Sequence, residues 1–394
     1  MMVAGGRGIA YGEEETENEY SSWYDASKQK YVFPVTPSSK EWKDFDSHQQ
    51  MIDACTIPEG LIEKLSTEEL YQLVMEYPLI SDVFFYDDAV AGFNQMRKYF
   101  NGLESFMGRN DALEVLLGEY NKLQITSDNE ENKYDNFVII HFMELILSDK
   151  DMIDRMSDIQ KDRLSKAVYE KYCQKKEDDF YKGFEENAYE YAKSNETTLV
   201  INKQKGCELN NPKGSVSIQL FDDAEVFQLK SVGTAYVRTP RGSLVEVSIR
   251  EEHNKDTIEK LNQSAKQNYP KATLVYPASN KYNCHSYVWH SPSPVNPYWI
   301  NGGQAEIYVT DGSYRAIASY PTGVGRRVVW YDYDREGNIN FLHSGILRAF
   351  KSPYDKEGIM VESKWTDGPV MLAEINYTPY KYENCWYRYY IRAD

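Results

Sequence analysis

The chain of 394 residues is 41% apolar and carries 61 acidic against 44 basic side chains, a formal charge of −17. That balance repels nucleic-acid phosphates and anionic membranes over most of the surface, and no run of eighteen apolar residues exists to span a bilayer. The length predicts two domains, with ample chain to bury a core without staples. The 33 tyrosines suit half-buried sheet faces, and a flat ring with a polar tip also suits a sugar- or peptide-binding surface.

Residues 1–45 read as an extended lead. An acidic, polar stretch, Gly12–Ser22, precedes the Pro-spaced Phe33-Pro34-Val35-Thr36-Pro37. Trp23, Tyr31, Phe33 and Trp42 are placed to pin it on the body, because a disordered arm seldom carries so many aromatics. Residues 46–200 read as an all-helical domain. Ser66-Thr67-Glu68-Glu69 is a capping box, Leu70, Leu73, Val74 and Tyr77 follow at helical spacing, and Pro78 ends the run. The spacing returns over Ala89–Phe100, Asp111–Leu123, Tyr134–Leu147 and Lys161–Ala192, which predicts an antiparallel bundle. His141 lies on an apolar face and is expected in the core. No catalytic residue is expected among these helices.

Gly206, Asn210, Asn211, Pro212 and Gly214 mark a linker near 203–214. Beyond it, residues 210–394 change to strand patterns. Ser215–Phe221 and Ser243–Ile249 alternate with period two, Thr239-Pro240-Arg241-Gly242 signals a hairpin, and Asp256–Tyr269 is a helix ending at Pro270. Further strands are expected at Arg327–Tyr331, His343–Phe350, Gly358–Trp365 and Trp386–Ile391. The whole reads as α+β, with one helix packed on an antiparallel sheet.

The chemistry concentrates in Lys281–Tyr314. Cys284 follows the loop Tyr276-Pro277-Ala278-Ser279-Asn280 and opens an aromatic run through His290. A cysteine in the first turn of a helix gains from the partial positive charge there, which favours thiolate over thiol. A thiolate nucleophile needs a base and an orienting group. His343 opens an apolar strand, and the strand after it carries Glu362 and Ser363, so Cys284, His343 and Glu362 (or Ser363) form the candidate catalytic set. His285, at the next position after Cys284, is not expected to face the thiol on a helix, and His290 is a weaker alternative base. Tyr282, Trp299, Tyr314 and Trp365 are candidate walls of a substrate cleft. Lys364 is placed either to pair Glu362 or to anchor a substrate carboxylate. Of the other cysteines, Cys55, Cys173, Cys207 and Cys385, no pairing is chosen by the sequence. No Cys-x-x-Cys pair or Cys/His cluster at zinc spacing appears, so neither a metal nor a cofactor is expected.

Tyr282-Asn283-Cys284-His285-Ser286-Tyr287, Asn296-Pro297-Tyr298-Trp299-Ile300, Asp311-Gly312-Ser313-Tyr314, His343-Ser344-Gly345-Ile346 and Glu362-Ser363-Lys364-Trp365 together resemble the NlpC-type, papain-like cysteine peptidases and amidases. The nearest likeness is to secreted bacterial members with an Asn-Cys-His-Ser-Tyr motif. The resemblance spans roughly residues 210–394. It implies a papain-like domain whose cysteine-bearing helix packs on an antiparallel sheet, with Cys284 as nucleophile, His343 as base and a third polar residue on the neighbouring strand. That third residue is usually His, Asn or Gln, where this chain has Glu362-Ser363. The resemblance also implies export to the cell surface or beyond, and amide-bond hydrolysis with a peptide or peptidoglycan stem peptide as substrate. Two other outcomes are compatible with the same residues. One is a glycan- or peptide-binding protein on an inactive scaffold, and the other is an acyltransferase or transglutaminase.

Overall fold

The computed structural model describes residues 20–87, 89–125, 133–177, 233–317, 323–334, 337–351 and 358–393. The linker near 203–214, the strand Ser215–Phe221 and the end of the Lys161–Ala192 run lie outside them. The lead is pinned as its aromatics require. A small hairpin, β1 (Tyr24–Asp25) and β2 (Lys30–Tyr31), sits between buried Trp23 and Phe33. Farther on, the indole N–H of buried Trp42 donates to the Asn268 carbonyl at 2.8 Å.

The helical layer comprises α1 (His48–Ala54), α2 (Glu59–Ile62), α3 (Thr67–Met75), α4 (Ala89–Tyr99), α5 (Asn101–Met107), α6 (Ala112–Lys122), α7 (Lys133–Ser148), α8 (Lys150–Asp154) and α9 (Asp158–Glu177). Its boundaries follow local chemistry. The capping box of α3 is formed in both directions: Ser66 Oγ accepts from the Glu69 N–H at 3.1 Å, and the Ser66 N–H donates to Glu69 Oε2 at 2.8 Å. His141, on α7, is buried as expected. Between α3 and α4 a 3-10 turn, Ile80–Phe85, turns the chain toward the second half of the molecule.

That half begins with the hairpin β3 (Gly233–Arg238) and β4 (Leu244–Ile249), then α10 (Lys255–Asn268) and β5 (Thr273–Tyr276). The turn bearing Cys284 follows, then α11 (Gly302–Ala305), α12 (Ile307–Thr310) and strands β6 (Tyr314–Ala316), β7 (Arg327–Tyr333), β8 (Ile339–Ala349), β9 (Met360–Lys364), β10 (Val370–Glu374) and β11 (Trp386–Arg392). Seven of these strands form one antiparallel sheet in the order β5-β10-β9-β8-β7-β11-β6. The fold is therefore α+β.

Successive side chains in a strand point to opposite faces, and here both faces are buried. One face, with Val329, Tyr331, Phe341 and Ile346, packs on the Cys284 turn through Tyr287, Val288 and Trp289. The other face, with Trp330, Leu347, Val361 and Trp365, belongs to the same continuous core as Leu73, Phe100 and Leu116 of the helical layer. The expected division into a helical domain and a sheet domain thus appears as layers sharing one core. Among the described residues, no helix is long and apolar enough to cross a membrane.

Candidate active site

Cys284 does open a helical turn. Asn283 caps it, its Oδ1 accepting from the Ser286 N–H at 3.1 Å and from the Ile300 N–H at 3.3 Å. The turn then widens into a single π turn over Ser286–His290, closed by the Ser291 N–H donating to the Ser286 carbonyl at 3.0 Å. Such π turns are rare and collect at functional sites.

The sulfur of Cys284 has two partners that the sequence did not announce. Cys284 Sγ, a ring nitrogen of His285 and a carboxylate oxygen of Asp87 all lie within 4.8 Å of one another. Asp87 enters from the helical layer, between the 3-10 turn and α4, where the sequence singled out no candidate residue. The expectation for His285 is corrected. Adjacent side chains on a helix do diverge, but two side chains in the opening turn can flank a third group that arrives from outside. Asp87 is that group.

Each partner is anchored. His285 Nδ1 is 2.9 Å from Ser344 Oγ, which also accepts from the Trp289 indole N–H at 3.0 Å. This leaves Nε2 turned toward Asp87, 3.3 Å from Oδ2 and with no well-formed hydrogen bond. The other Asp87 oxygen accepts from Asn283 Nδ2 at 3.1 Å, and that amide also donates to the Ile300 carbonyl at 2.7 Å. One asparagine therefore fixes both the start of the cysteine turn and the carboxylate. Burial alone would pull the His285 imidazole down, but the Cys284 sulfur and the Asp87 carboxylate more than offset it and hold it well above the ordinary histidine range. Cys284 is 1% exposed and His285 fully enclosed, while the Asp87 side chain is 25% exposed.

His343 is buried on β8, stacked on the Tyr380 ring with centroids 3.4 Å apart and flanked by Trp330 at 5.2 Å. Burial, reinforced by the charge of His285, holds it far below the ordinary range, and its Nε2 has no hydrogen-bond partner. Glu362 does not orient it. Glu362 pairs in register with Ile346, three residues along β8 from His343, and therefore lies on the opposite face of the sheet. Its carboxylate accepts from the Tyr287 hydroxyl at 2.6 Å and from Arg348. Ser363, one position on, shares the His343 face, and its buried hydroxyl has no partner.

The expected cleft walls are core instead. Trp365 is fully buried against Phe85 and Tyr269, and Tyr314 packs edge-on against Trp289. Buried Trp299 lies under the Arg250 guanidinium, 3.4 Å from its ring centroid. Buried Tyr282 faces the Lys364 ammonium at 4.9 Å. Among the described residues Lys364 pairs with no carboxylate. It donates to the carbonyls of Ser279, Thr366 and Gly368 at 2.8, 2.7 and 2.6 Å. Large aromatic and amphipathic side chains read the same in sequence whether they line a cleft or fill a core. His290 is exposed against Tyr298, away from the cluster. Cys55 and Cys385 are buried free thiols, whereas the side chain of Cys173 and all of Cys207 lie outside the described residues. Compared with protein-family models, curated proteins and solved structures, the chain matches none.

Proposed function

We propose that this chain is a cysteine hydrolase of amide bonds, working through Cys284 with His285 Nε2 as its base, Ser344 holding the ring at Nδ1 and Asp87 offsetting the imidazolium charge. The observation carrying this reading is the convergence of sulfur, imidazole nitrogen and carboxylate oxygen within 4.8 Å. A nucleophile and a base brought close together, with the base held by a third group, are the minimum set for acyl transfer. His285 takes the Cys284 proton as the sulfur attacks the carbonyl, then returns it to the leaving amine. Asp87 stabilises the imidazolium between the two steps. A water, deprotonated by the same imidazole, releases the acid. The N–H groups at the start of the cysteine turn face the developing oxyanion, a contribution typically of about 3 kcal/mol.

The likeness to NlpC-type enzymes favours a papain-like ancestry, a secreted or cell-surface setting and peptidoglycan stem peptide as the first substrate to test. A cysteine turn packed on an antiparallel sheet is compatible with that ancestry. The likeness would give the base to His343, and a buried neutral imidazole with a free Nε2 favours that second reading.

The test is incubation of the full chain with peptidoglycan fragments in the presence of a chelator, followed by mass spectrometry of the products. New amine and carboxyl ends are expected from wild type and none from Cys284→Ala. If neither protein cleaves and both bind the fragments equally, the chain is a binding module on an inactive scaffold. An added amine that appears in the product in place of water identifies an acyltransferase.

A further inference from the structure

The same three side chains form a donor set that hydrolysis alone does not require. We infer that Cys284, His285 and Asp87 bind one thiophilic divalent cation of the zinc type, and that the bound cation blocks the thiol. The inference shares its residues with the proposed acyl transfer but is tested without any turnover.

The donors match in type. A thiolate, an imidazole and a carboxylate are all ligands of zinc, at about 2.3, 2.0–2.1 and 2.0–2.2 Å respectively. A tetrahedron with those bond lengths places nitrogen and oxygen ligands about 3.4 Å apart. His285 Nε2 and Asp87 Oδ2 are 3.3 Å apart. The outer limit of 4.8 Å for the whole set leaves about 1 Å to close on the sulfur–nitrogen and sulfur–oxygen edges, given tetrahedral edges near 3.6 Å. Rotation of the Cys284 side chain is of that order.

The surroundings match as well. His285 Nε2 is buried without a hydrogen-bond partner and turned into the set, while Nδ1 is tied to Ser344 Oγ. Holding one ring nitrogen of a histidine so that the other points at the ion is the usual outer-shell device at metal sites. Asn283 does the same for Asp87 by occupying the oxygen that faces away from His285. Gly302 keeps the rim open: a Cβ there would lie 3.6 Å from His285 Nε2 and 3.8 Å from Asp87 Oδ2. That space suits a fourth, exchangeable ligand such as water. The charges balance too, since thiolate and carboxylate together neutralise a divalent ion in an enclosed site. Binding as thiolate displaces the Cys284 proton to solvent, and no electron is transferred.

Cobalt(II) alone is the probe, because a thiolate ligand gives it a sulfur-to-metal charge-transfer band. Titration of the full wild-type chain is expected to saturate at one cobalt per chain, with that band present and displaced by zinc. Cys284→Ser is expected to lose the band and Cys55→Ser to keep it. Asn283→Ala, which leaves all three ligands in place, is expected to weaken binding about 10- to 100-fold. Circular dichroism on each variant separates loss of the site from loss of the fold, and Asp87→Asn provides a nearly isosteric second ligand variant. The inference is overturned if wild type binds no cobalt, if the band survives in Cys284→Ser, or if folded Asp87→Asn binds as tightly as wild type. Hydrolysis in chelator without cobalt binding would sink the metal site alone, and cobalt binding without hydrolysis would sink the acyl-transfer reading alone.

Discussion

Asn283 carries more of the site than its neutral amide suggests. It makes four hydrogen bonds, two to backbone N–H groups, one to a backbone carbonyl and one to Asp87. Asn283→Ala leaves those buried groups unpaired, and the loss of an N-cap combined with an orphaned acceptor costs about 1–3 kcal/mol. The expected outcome is a lower thermal midpoint together with slower labelling of Cys284. A lower midpoint with unchanged labelling would reduce Asn283 to a structural role. Glu362→Gln tests the opposite assignment. Because Glu362 serves Tyr287 and Arg348 on the far face from His343, the variant is expected to lose stability yet keep its turnover rate. A hundredfold loss of kcat at unchanged stability would restore Glu362 to the catalytic set. At this scale the sequence was readable where one residue acts on its own neighbours: Cys284 opens a helical turn after a loop signal, whereas the role of Asn283 went unread. Asp87 left no local signal, because a single acid in a turn gains its meaning only from the distant turn it meets.

Strand register decides what neighbours in sequence actually share. The apolar run from His343 and the run Gly358–Trp365 were legible as two adjacent strands. They did not say which residue of one faces which residue of the other. A shift of one residue exchanges the faces, and the observed register sets Ser363 rather than Glu362 on the His343 side. The same strand carries Lys364 into a cage of three carbonyls, where burial lowers its ammonium to about 7, against the opposing pull of Asp367, Glu252 and Cys284. The folded-state value lies below the unfolded value of 10.5. Between the two, the unfolded chain binds more protons, so stability rises with pH across that window and is flat below it. Wild type is therefore expected to gain stability from pH 7 to 9 relative to Lys364→Met, measured as the difference in denaturant midpoint. Parallel pH profiles for the two proteins would remove Lys364 from the account.

The molecule as a whole works as one packed body. The helical spacing, the capping box and the aromatic lead were all evident in the sequence, and so was the change to strands. Composition suggested a separable helical half, because amphipathic helices read alike whether their apolar faces meet one another or a sheet. Here one face of the sheet, through Trp330, Leu347, Val361 and Trp365, shares one continuous core with those helices. Removing residues 1–200 would strip that face and remove Asp87. The truncated chain is expected to be insoluble or to lack a cooperative unfolding transition. A soluble, cooperatively folding truncation that still turns over substrate would contradict both the shared core and the place of Asp87.

The most direct measurement is the rate at which iodoacetamide alkylates Cys284 at neutral pH, read by mass spectrometry, in wild type, His285→Ala, Asp87→Asn and His343→Ala. With His285 and Asp87 as the partners of the sulfur, the first two variants slow labelling about tenfold or more, His343→Ala changes it little, and wild-type Cys284 outpaces Cys55 and Cys385. If His343→Ala abolishes the reactivity while His285→Ala and Asp87→Asn retain it, or if Cys284 labels no faster than the other two buried cysteines, the three-residue site is contradicted.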